Sequence, residues 1–182
     1  MNDFTFFSPT RFVFGRGVTD RVGDELSMAG YAHALVVYGQ GSVVRTGTLG
    51  RVLASLDAAG IAHTELAGVR PNPEVGLVRE GVTLARECGA DLVLGVGGGS
   101  VIDTAKAIGF GALYKGDFWD FFTGAAKIEK TLPVGVVLTI SAAGSEGSDS
   151  CVITQERGNL KWGCPKSDVI RPKFAVLDPR FT

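Results

Sequence analysis

Histidine and cysteine, the residue types that most often hold transition metals, are scarce in this chain of 182 residues. His33 and His63 each lie beside a predicted strand, with no acidic or cysteine partner at ligand spacing, and we expect both at the surface or at a strand boundary. The three cysteines, Cys88, Cys151 and Cys164, are odd in number and lack the spacing of a metal site, which favours reduced thiols in a cytoplasmic protein. We therefore predict no metal site and assign no catalytic residue within the chain.

An excess of charge of one sign is also missing, since 18 Lys and Arg residues against 19 Asp and Glu residues give a formal net charge of -1. No basic stripe is interleaved with aromatic residues, which argues against nucleic acid as a partner. No apolar run is long enough to span a bilayer, and the first residues lack the basic region and apolar core of a signal peptide. We expect a cytoplasmic protein that binds neither nucleic acid nor membrane.

Short apolar runs, typical of strands covered on both faces, alternate with segments of helical periodicity. The predicted strands are 34–38, 61–66, 92–96, 134–139 and 174–177, and the predicted helices are 18–28, 49–59, 75–88 and 101–110. Residues 4–7 and 11–14 are expected to form an N-terminal β-hairpin. This order predicts a single α/β domain over residues 1–182, with a doubly wound, mostly parallel, Rossmann-like sheet.

The most informative segment runs from Leu92 to Lys106, where a strand-length apolar run meets three glycines, a serine and a helical pattern. Bare glycines let the backbone approach an anion, and the helix that follows presents unpaired amides and the positive end of its dipole. Ser100 and Asp103 have the spacing of a helix capping box. A glycine cluster alone also forms ordinary turns, so the segment favours a phosphate ligand without naming it.

Small polar residues follow four of the predicted strands, which suggests that their loops line one cleft. These loops are 39–42, 71–73, 97–100 and 141–145. In doubly wound sheets, ligands bind at the carboxyl ends of the strands, near the point where the strand order reverses.

The motifs along the chain resemble those of the iron-containing alcohol dehydrogenase family. The similar segments are Phe4-Thr5-Phe6, Thr10-Arg11-Phe12-Val13-Phe14-Gly15, Pro71-Asn72-Pro73, the stretch from Gly97 to Lys106, and Phe174-Ala175-Val176-Leu177-Asp178-Pro179. Within the family, the segment from Tyr38 to Val43 is similar to the NADP-preferring butanol dehydrogenase and aldehyde reductase branch. The segment from Ser141 to Glu146 departs from the family pattern, which usually has Pro or Thr before the glycine.

The resemblance implies a cofactor site, with Asn72 at the adenosine, Lys161 near the nicotinamide and Phe181 closing the pocket. Gly98, Gly99 and Ser100 would hold the pyrophosphate through backbone amides, and Thr139, Ser141 and Ser145 would reach the cofactor. The full set of expected cofactor-binding residues is Gly39, Gly41, Ser42, Asn72, Gly97, Gly98, Gly99, Ser100, Asp103, Thr139, Ser141, Ser145, Lys161 and Phe181. Asp103 and Lys106, one turn apart, also fit a simple helix-stabilising pair.

The preference for NADP has its own physical argument. Sites that choose NAD usually carry an acid after an early strand, and that charge would repel a 2′-phosphate. Here Gly39 stands in place of such an acid, Ser42 offers a hydroxyl, and Arg45 offers a cation unless it is simply a solvated helix residue. We therefore expect NADP, with NAD as the less favoured cofactor.

The family resemblance further implies a helical domain with iron or zinc ligands, and we expect this domain to be absent from the chain. The expected reaction of the parent protein is hydride transfer between NADP(H) and a small alcohol or aldehyde, with little or no activity in the isolated chain. Two alternatives stay open: a stand-alone nucleotide-binding or regulatory module, and a relative of glycerol-1-phosphate dehydrogenase and dehydroquinate synthase. The predicted hairpin leaves a sheet edge, so a homo-oligomer also stays open.

Overall fold

The computed structural model describes residues 7–158 and 160–182, in which strands and helices alternate along most of the chain. The strands are β1 (Arg11–Phe14), β2 (His33–Gly39), β3 (Ala62–Val69), β4 (Leu92–Gly97), β5 (Val134–Leu138), β6 (Val152–Gln155), β7 (Leu160–Gly163) and β8 (Phe174–Leu177). The helices are α1 (Val22–Met28), α2 (Ser42–Arg45), α3 (Thr48–Ala58), α4 (Val75–Glu87), α5 (Gly99–Ala112) and α6 (Asp120–Thr123). No helix in these two described ranges is long and apolar enough to cross a membrane.

Six strands form one sheet in the order β1-β8-β5-β4-β2-β3, and every pairing between neighbours is parallel. Strands β4 and β5 are buried along their whole length, as their continuous runs of Val, Leu and Gly predict for strands covered on both faces. The predicted doubly wound parallel sheet is confirmed.

Alternate residues of the strands enter two separate apolar cores, one on each face of the sheet. On β2, Leu35 and Val37 pack in the core beneath α4 and α5, while Ala34 and Val36 pack in the core beneath α1 and α3. The first core also holds the aromatic rings that surround α6, and Phe110 meets Phe121 edge to face at 5.1 Å between centroids. Burial of both faces makes the sheet a rigid support for the loops at its carboxyl edge.

The strand order reverses between β2 and β4. From β2 the chain moves outward to β3 at the sheet edge, returns to β4 on the other side of β2, and then continues away to β5. The loops that follow β2 and β4 therefore diverge and leave a crevice between them, where parallel sheets of this kind bind ligands.

The predicted N-terminal hairpin of residues 4–7 and 11–14 falls partly outside the described residues. Residues 4–6 lie outside the described residues, Phe7 belongs to no strand, and β1 pairs in parallel with β8 in the register Arg11↔Phe174. Strand β1 is an edge of the sheet among the described residues, with Phe12 50% and Phe14 74% exposed. Association of the chain through this edge stays a prediction.

An antiparallel hairpin of β6 and β7 stands apart from the main sheet and was not predicted. It packs onto the loop after β3, because the Thr154 amide donates to the Pro73 carbonyl at 2.7 Å. The Gly76 amide also donates to the Glu156 carboxylate at 3.2 Å. These contacts bring residues from late in the chain to the carboxyl edge of β2, β3 and β4.

Candidate cofactor cleft

A cleft of about 900 Å³ lies at the carboxyl ends of the central strands, over the point where the strand order reverses. Its walls are the loops that follow β2, β3, β4 and β5, together with the β6–β7 hairpin. The expected site residues among its lining are Gly39, Gly41, Ser42, Asn72, Gly97, Gly98, Gly99, Ser100, Asp103, Thr139, Ser145 and Lys161. The structure therefore brings together the four loops that the sequence predicted to share one cleft.

The glycine turn, Gly97 to Ser100, links the end of β4 to the start of α5. A Cβ atom at Gly97 would lie 2.6 Å from Val101 Cγ2, so no side chain fits there without a shift. At Gly98 and Gly99 the nearest atoms to an added Cβ are 3.6 Å and 3.4 Å away, so a Cβ there would make ordinary contacts with the loop after β5 and would fill space that the bare backbone leaves free. Because α5 starts at Gly99, its first amides and its dipole point to this space, which suits a phosphate group.

The predicted capping box at Ser100 and Asp103 is wrong. Gly98, in an extended conformation, is the N-cap of α5, so Ser100 lies inside the first turn, and no side chain caps the helix. The Asp103 carboxylate instead accepts a hydrogen bond from the Val152 amide at 3.0 Å, on the strand β6. This bond joins α5 to the hairpin.

Among the described residues, Asp103 carries the one carboxyl group that lines the cleft. Its Oδ1 atom is buried and has no hydrogen-bond partner among the described residues. Burial raises the pKa of Asp103, against the lowering effects of the Val152 amide and of Lys106. The Ser145 hydroxyl also lowers the pKa of Asp103, so this carboxyl group lies close to the loop after β5 as well as to the hairpin.

Lys106 is fully buried, and its ammonium group holds the loop that follows β5. It donates to the carbonyls of Ser145, Ser148 and Ser150 at 2.7, 2.9 and 2.9 Å and to the Ser148 hydroxyl at 2.9 Å. Burial lowers the pKa of Lys106, while the nearby Asp103 carboxyl raises it. The lysine is thus a loop anchor, which the interpretation of a helix-stabilising pair did not foresee.

Lys161 and Asn72 contact each other at one wall of the cleft. Lys161, on β7, donates from Nζ to Asn72 Oδ1 at 2.8 Å. Asn72 stands between two prolines with a positive φ of 60°, a conformation that asparagine tolerates better than most residues. The resemblance assigned these side chains to opposite ends of a cofactor, whereas the structure places them together beside the loop after β3.

Cationic side chains predominate in the cleft lining, where the part of the chain that the structure describes contributes Arg45, Arg70 and Lys161 against the single acid Asp103. The guanidinium of Arg45 lies against Gly41, since a Cβ at that glycine would be 3.3 Å from Arg45 Nη1. Arg70 was not predicted, although it directly precedes the Pro71-Asn72-Pro73 segment. This balance of charge favours an anionic ligand.

Two expected site residues do not line the cleft. Ser141 lies in the exposed loop after β5 but outside the lining, in which Ile140 and Ala142 take part instead. Phe181 lies beyond β8, where its ring packs under the Arg180 guanidinium at 5.1 Å. Val152 lines the cleft too, and nothing in its own sequence neighbourhood marks it as a site residue.

The described residues do not form a metal site. No group of at least three His, Cys, Asp or Glu side chains within ranges 7–158 and 160–182 could hold an ion. His33 Nε2 contacts the Thr64 hydroxyl at 2.9 Å, and His63 Nε2 contacts the Asp57 carboxylate at 3.1 Å. Neither histidine lines the cleft.

The arrangement of a parallel sheet, a glycine turn and a cleft at the switch point can be compared with known families. The model of the family "iron-containing alcohol dehydrogenase" matches residues 9–179, nearly the whole chain. The chain belongs to the iron-containing alcohol dehydrogenase family.

Relatives within the iron-containing alcohol dehydrogenase family differ in the cofactor that they are named for. The chain is 45% identical to a probable NADH-dependent butanol dehydrogenase 1 of Bacillus subtilis, over 98% of this chain and 46% of that protein. It is 38% identical to the NADPH-dependent aldehyde reductase YqhD of Escherichia coli, over 100% of this chain and 46% of that protein. The chain thus spans about half the length of these family members.

A solved structure of a relative has the same fold as this chain. The crystal structure of an NADH-dependent butanol dehydrogenase A from Thermotoga maritima matches it with a TM-score of 0.95 and 46% identity. The match covers 98% of this chain and 45% of that one.

Proposed function

We propose that this chain is the dinucleotide-binding domain of a metal-dependent alcohol dehydrogenase or aldehyde reductase, and that its cleft binds a nicotinamide dinucleotide. The observation that carries the proposal is the glycine turn at the start of α5, which opens into the cleft at the point of strand reversal. The relatives named as NADH-dependent and NADPH-dependent support a nicotinamide cofactor.

In this proposal the pyrophosphate lies on the amides of Gly98, Gly99 and Ser100. The adenosine lies toward Gly39 and Ser42, at the end of β2, and the nicotinamide lies toward Thr139 and Ser145, after β5. The order of the strands supports this direction, because β4, which carries the glycine turn, is between β2 and β5.

Lys161 then serves the same part of the cofactor as Asn72. Its Nζ is held 2.8 Å from the Asn72 amide oxygen, beside the loop that follows the edge strand β3. To approach a nicotinamide ring near β5, the lysine has to leave Asn72. We therefore assign both side chains to the ribose and phosphate groups nearest β3.

We propose that the site prefers NADP(H) over NAD(H), because it can bind the additional 2′-phosphate on the adenosine ribose. Gly39 brings no carboxylate to the end of β2, and the lining there includes Ser42 and two cations, Arg45 and Arg70. A guanidinium forms strong charge-assisted hydrogen bonds to phosphate. The named cofactors of the relatives are mixed, so this preference rests on the cleft residues of this chain.

Calorimetric titration of the purified chain with NADPH and NADH tests both the cofactor site and its preference for NADP(H). We expect NADPH to bind on the order of tenfold more tightly, and Arg45→Ala to remove most of that difference. Arg16→Ala, which changes an exposed arginine outside the cleft, is the matched control. Equal or tighter binding of NADH would refute the NADP preference, and binding of neither would refute the site.

The reaction that we propose for the whole protein is reversible hydride transfer between the nicotinamide cofactor and an alcohol or aldehyde. The described residues provide no metal site, so we propose that the chain by itself binds cofactor without appreciable dehydrogenase activity. Assays of alcohol oxidation with the pure chain test this point, and measurable turnover without any other polypeptide would overturn it.

A further inference from the structure

Two cysteines close the base of the β6–β7 hairpin, and neither lines the cleft. Cys151 precedes β6, Cys164 follows β7, and the two residues are 1% and 6% exposed. Their sulfur atoms lie 3.5 Å apart. The Cys164 amide donates to the Cys151 carbonyl at 2.9 Å, and the Cys151 amide donates to Cys164 Sγ at 3.3 Å. The two residues thus extend the hairpin by one cross-strand pair beyond Val152 and Gly163.

We propose that Cys151 and Cys164 are an oxidation site, at which a peroxide converts the two thiols into a disulfide across the base of the hairpin. The backbones are already paired at this position, so the strands need no rearrangement. The sulfur atoms have to approach from 3.5 Å to the bond length of about 2.05 Å, which side-chain rotation together with a small shift of the strands can supply.

The surroundings of the pair assign different roles to the two sulfurs. The hydrogen bond from the Cys151 thiol lowers the pKa of Cys164, and the Lys106 ammonium adds to this effect. Burial raises the pKa of Cys151. Cys164 is therefore the residue that reaches the nucleophilic thiolate form more readily, and Cys151 is the resolving thiol.

The chemistry balances in two steps. The Cys164 thiolate attacks one oxygen of hydrogen peroxide, an S–O bond forms, the O–O bond breaks, and hydroxide takes up the proton that Cys164 had lost to form water. The Cys151 sulfur then attacks Cys164 Sγ, an S–S bond forms, and the S–O bond breaks as hydroxide leaves with the Cys151 proton as a second water. Two thiols lose two electrons in total, and one peroxide molecule is reduced to two waters.

The disulfide ties together the strands that carry Lys161 and that supply the Val152 amide to Asp103. It requires no bound cofactor, so the inference is independent of the proposed function.

The test uses the folded chain, hydrogen peroxide and the third cysteine as an internal reference. The peroxide dose is raised until Cys88, which is half-buried and outside the pair, begins to oxidise. Free thiols are then alkylated, and the digest is analysed by mass spectrometry without reduction. We expect a peptide that links Cys151 to Cys164, the loss of these two alkylation sites at doses that leave Cys88 largely free, and recovery of both sites with dithiothreitol.

Two variants sharpen the result. Cys88→Ser should form the same linked peptide, whereas Cys151→Ser should leave Cys164 without its resolving thiol, so that oxygen adducts accumulate on Cys164. The proposal would be overturned if Cys151 and Cys164 remained free thiols at a peroxide dose that oxidises Cys88. A disulfide that involves Cys88 would overturn it as well. The mapping of the unchanged chain decides the matter even where a variant folds poorly.

Discussion

The glycine turn and the β6–β7 hairpin border the same cleft, yet the chain holds them in place by different means. The glycine turn is set by its own neighbours, because a Cβ atom at Gly97 would collide with Val101 only four positions away. The hairpin is set by contacts with distant residues, such as the bond from the Thr154 amide to Pro73 and the bond from Lys161 to Asn72. One wall follows from local backbone sterics, and the other exists only when the rest of the fold is present.

Helix α5 connects the two walls through Asp103 and Lys106. Asp103 accepts a hydrogen bond from the Val152 amide of the hairpin. Lys106 donates hydrogen bonds to the carbonyls of the loop that leads into the hairpin. A helix that begins at the glycine turn therefore also fixes the opposite wall. The following substitutions separate these contributions.

The largest effect is expected for Lys106→Met, which keeps the length of the side chain but removes its ammonium. Three carbonyls and a hydroxyl lose their donor in a buried setting, so the free energy of unfolding should fall by about 3 kcal/mol in urea denaturation. The exposed Lys130→Met should change it by less than about 0.5 kcal/mol. A similar small change for both variants would show that the loop does not depend on its anchor.

Gly97→Ala tests the glycine turn itself. The new Cβ would lie 2.6 Å from Val101 Cγ2 and 2.9 Å from Val101 Cβ, so the start of α5 has to shift, at a cost of about 2 kcal/mol in unfolding free energy. Gly50→Ala is the matched control, since the space around Gly50 in α3 is open and the same change there should stabilise the chain by about 0.5 kcal/mol. If Gly97→Ala were as well tolerated, local sterics would not define this wall.

Lys161→Ala tests the hairpin wall for binding and not for stability. The Lys161 side chain is exposed, so we expect its removal to change the unfolding free energy by less than about 0.5 kcal/mol. Calorimetry should show an affinity for NADPH on the order of tenfold weaker, since a cation near phosphate is lost. Lys166→Ala removes an exposed lysine outside the cleft lining and should leave the affinity unchanged.

The smallest effect, and one that depends on pH, is expected for Asp103→Asn at the contact between the walls. Burial raises the pKa of Asp103, so the folded chain holds this proton more tightly than the unfolded chain does. The stability of the wild-type chain therefore falls as pH rises from the ordinary aspartate range through the raised pKa. Asparagine does not titrate and can still accept from the Val152 amide, so the variant should be more stable than the wild-type chain near pH 7 and almost equal to it near pH 4.

Urea denaturation at the two pH values measures this difference. Asp24→Asn, an exposed change on α1, should alter the unfolding free energy by less than about 0.5 kcal/mol at either pH. A gain for Asp103→Asn that is the same at both pH values would contradict the argument from burial.

The contrast between the walls also explains what the sequence could predict. Strands β2, β4 and β5 have continuous apolar runs because both of their faces are covered, and β8 was predicted with its observed bounds, Phe174–Leu177. The glycine turn could be identified for the same local reason. Four loops were expected to share a cleft, and the parallel sheet does bring them to one edge.

The β6–β7 hairpin and its contacts have no sequence pattern comparable to the apolar runs of the central strands or to the glycine turn. Strand β7 has only four residues and all of them are exposed, so no core-facing apolar run marks the strand. The carbonyls that Lys106 holds are 39 to 44 positions away in the chain, which no local spacing rule can reveal. The predicted capping box was wrong because the N-cap of α5 is Gly98, which has no side chain to cap the helix. The Asp103 carboxylate accepts a hydrogen bond from the Val152 amide instead.

The pairing of β1 with β8 has a consequence for the order in which the chain folds. Among the described residues, the first strand of the sheet pairs with the last, with Arg11 beside Phe174, and Asp178 after β8 accepts the amides of Gly17 and Thr19. During synthesis, β2 to β5 can associate while β1 still has no neighbour. We therefore expect β1 to be among the last strands of this sheet to become native, and refolding experiments should detect its protection from hydrogen exchange after that of β4.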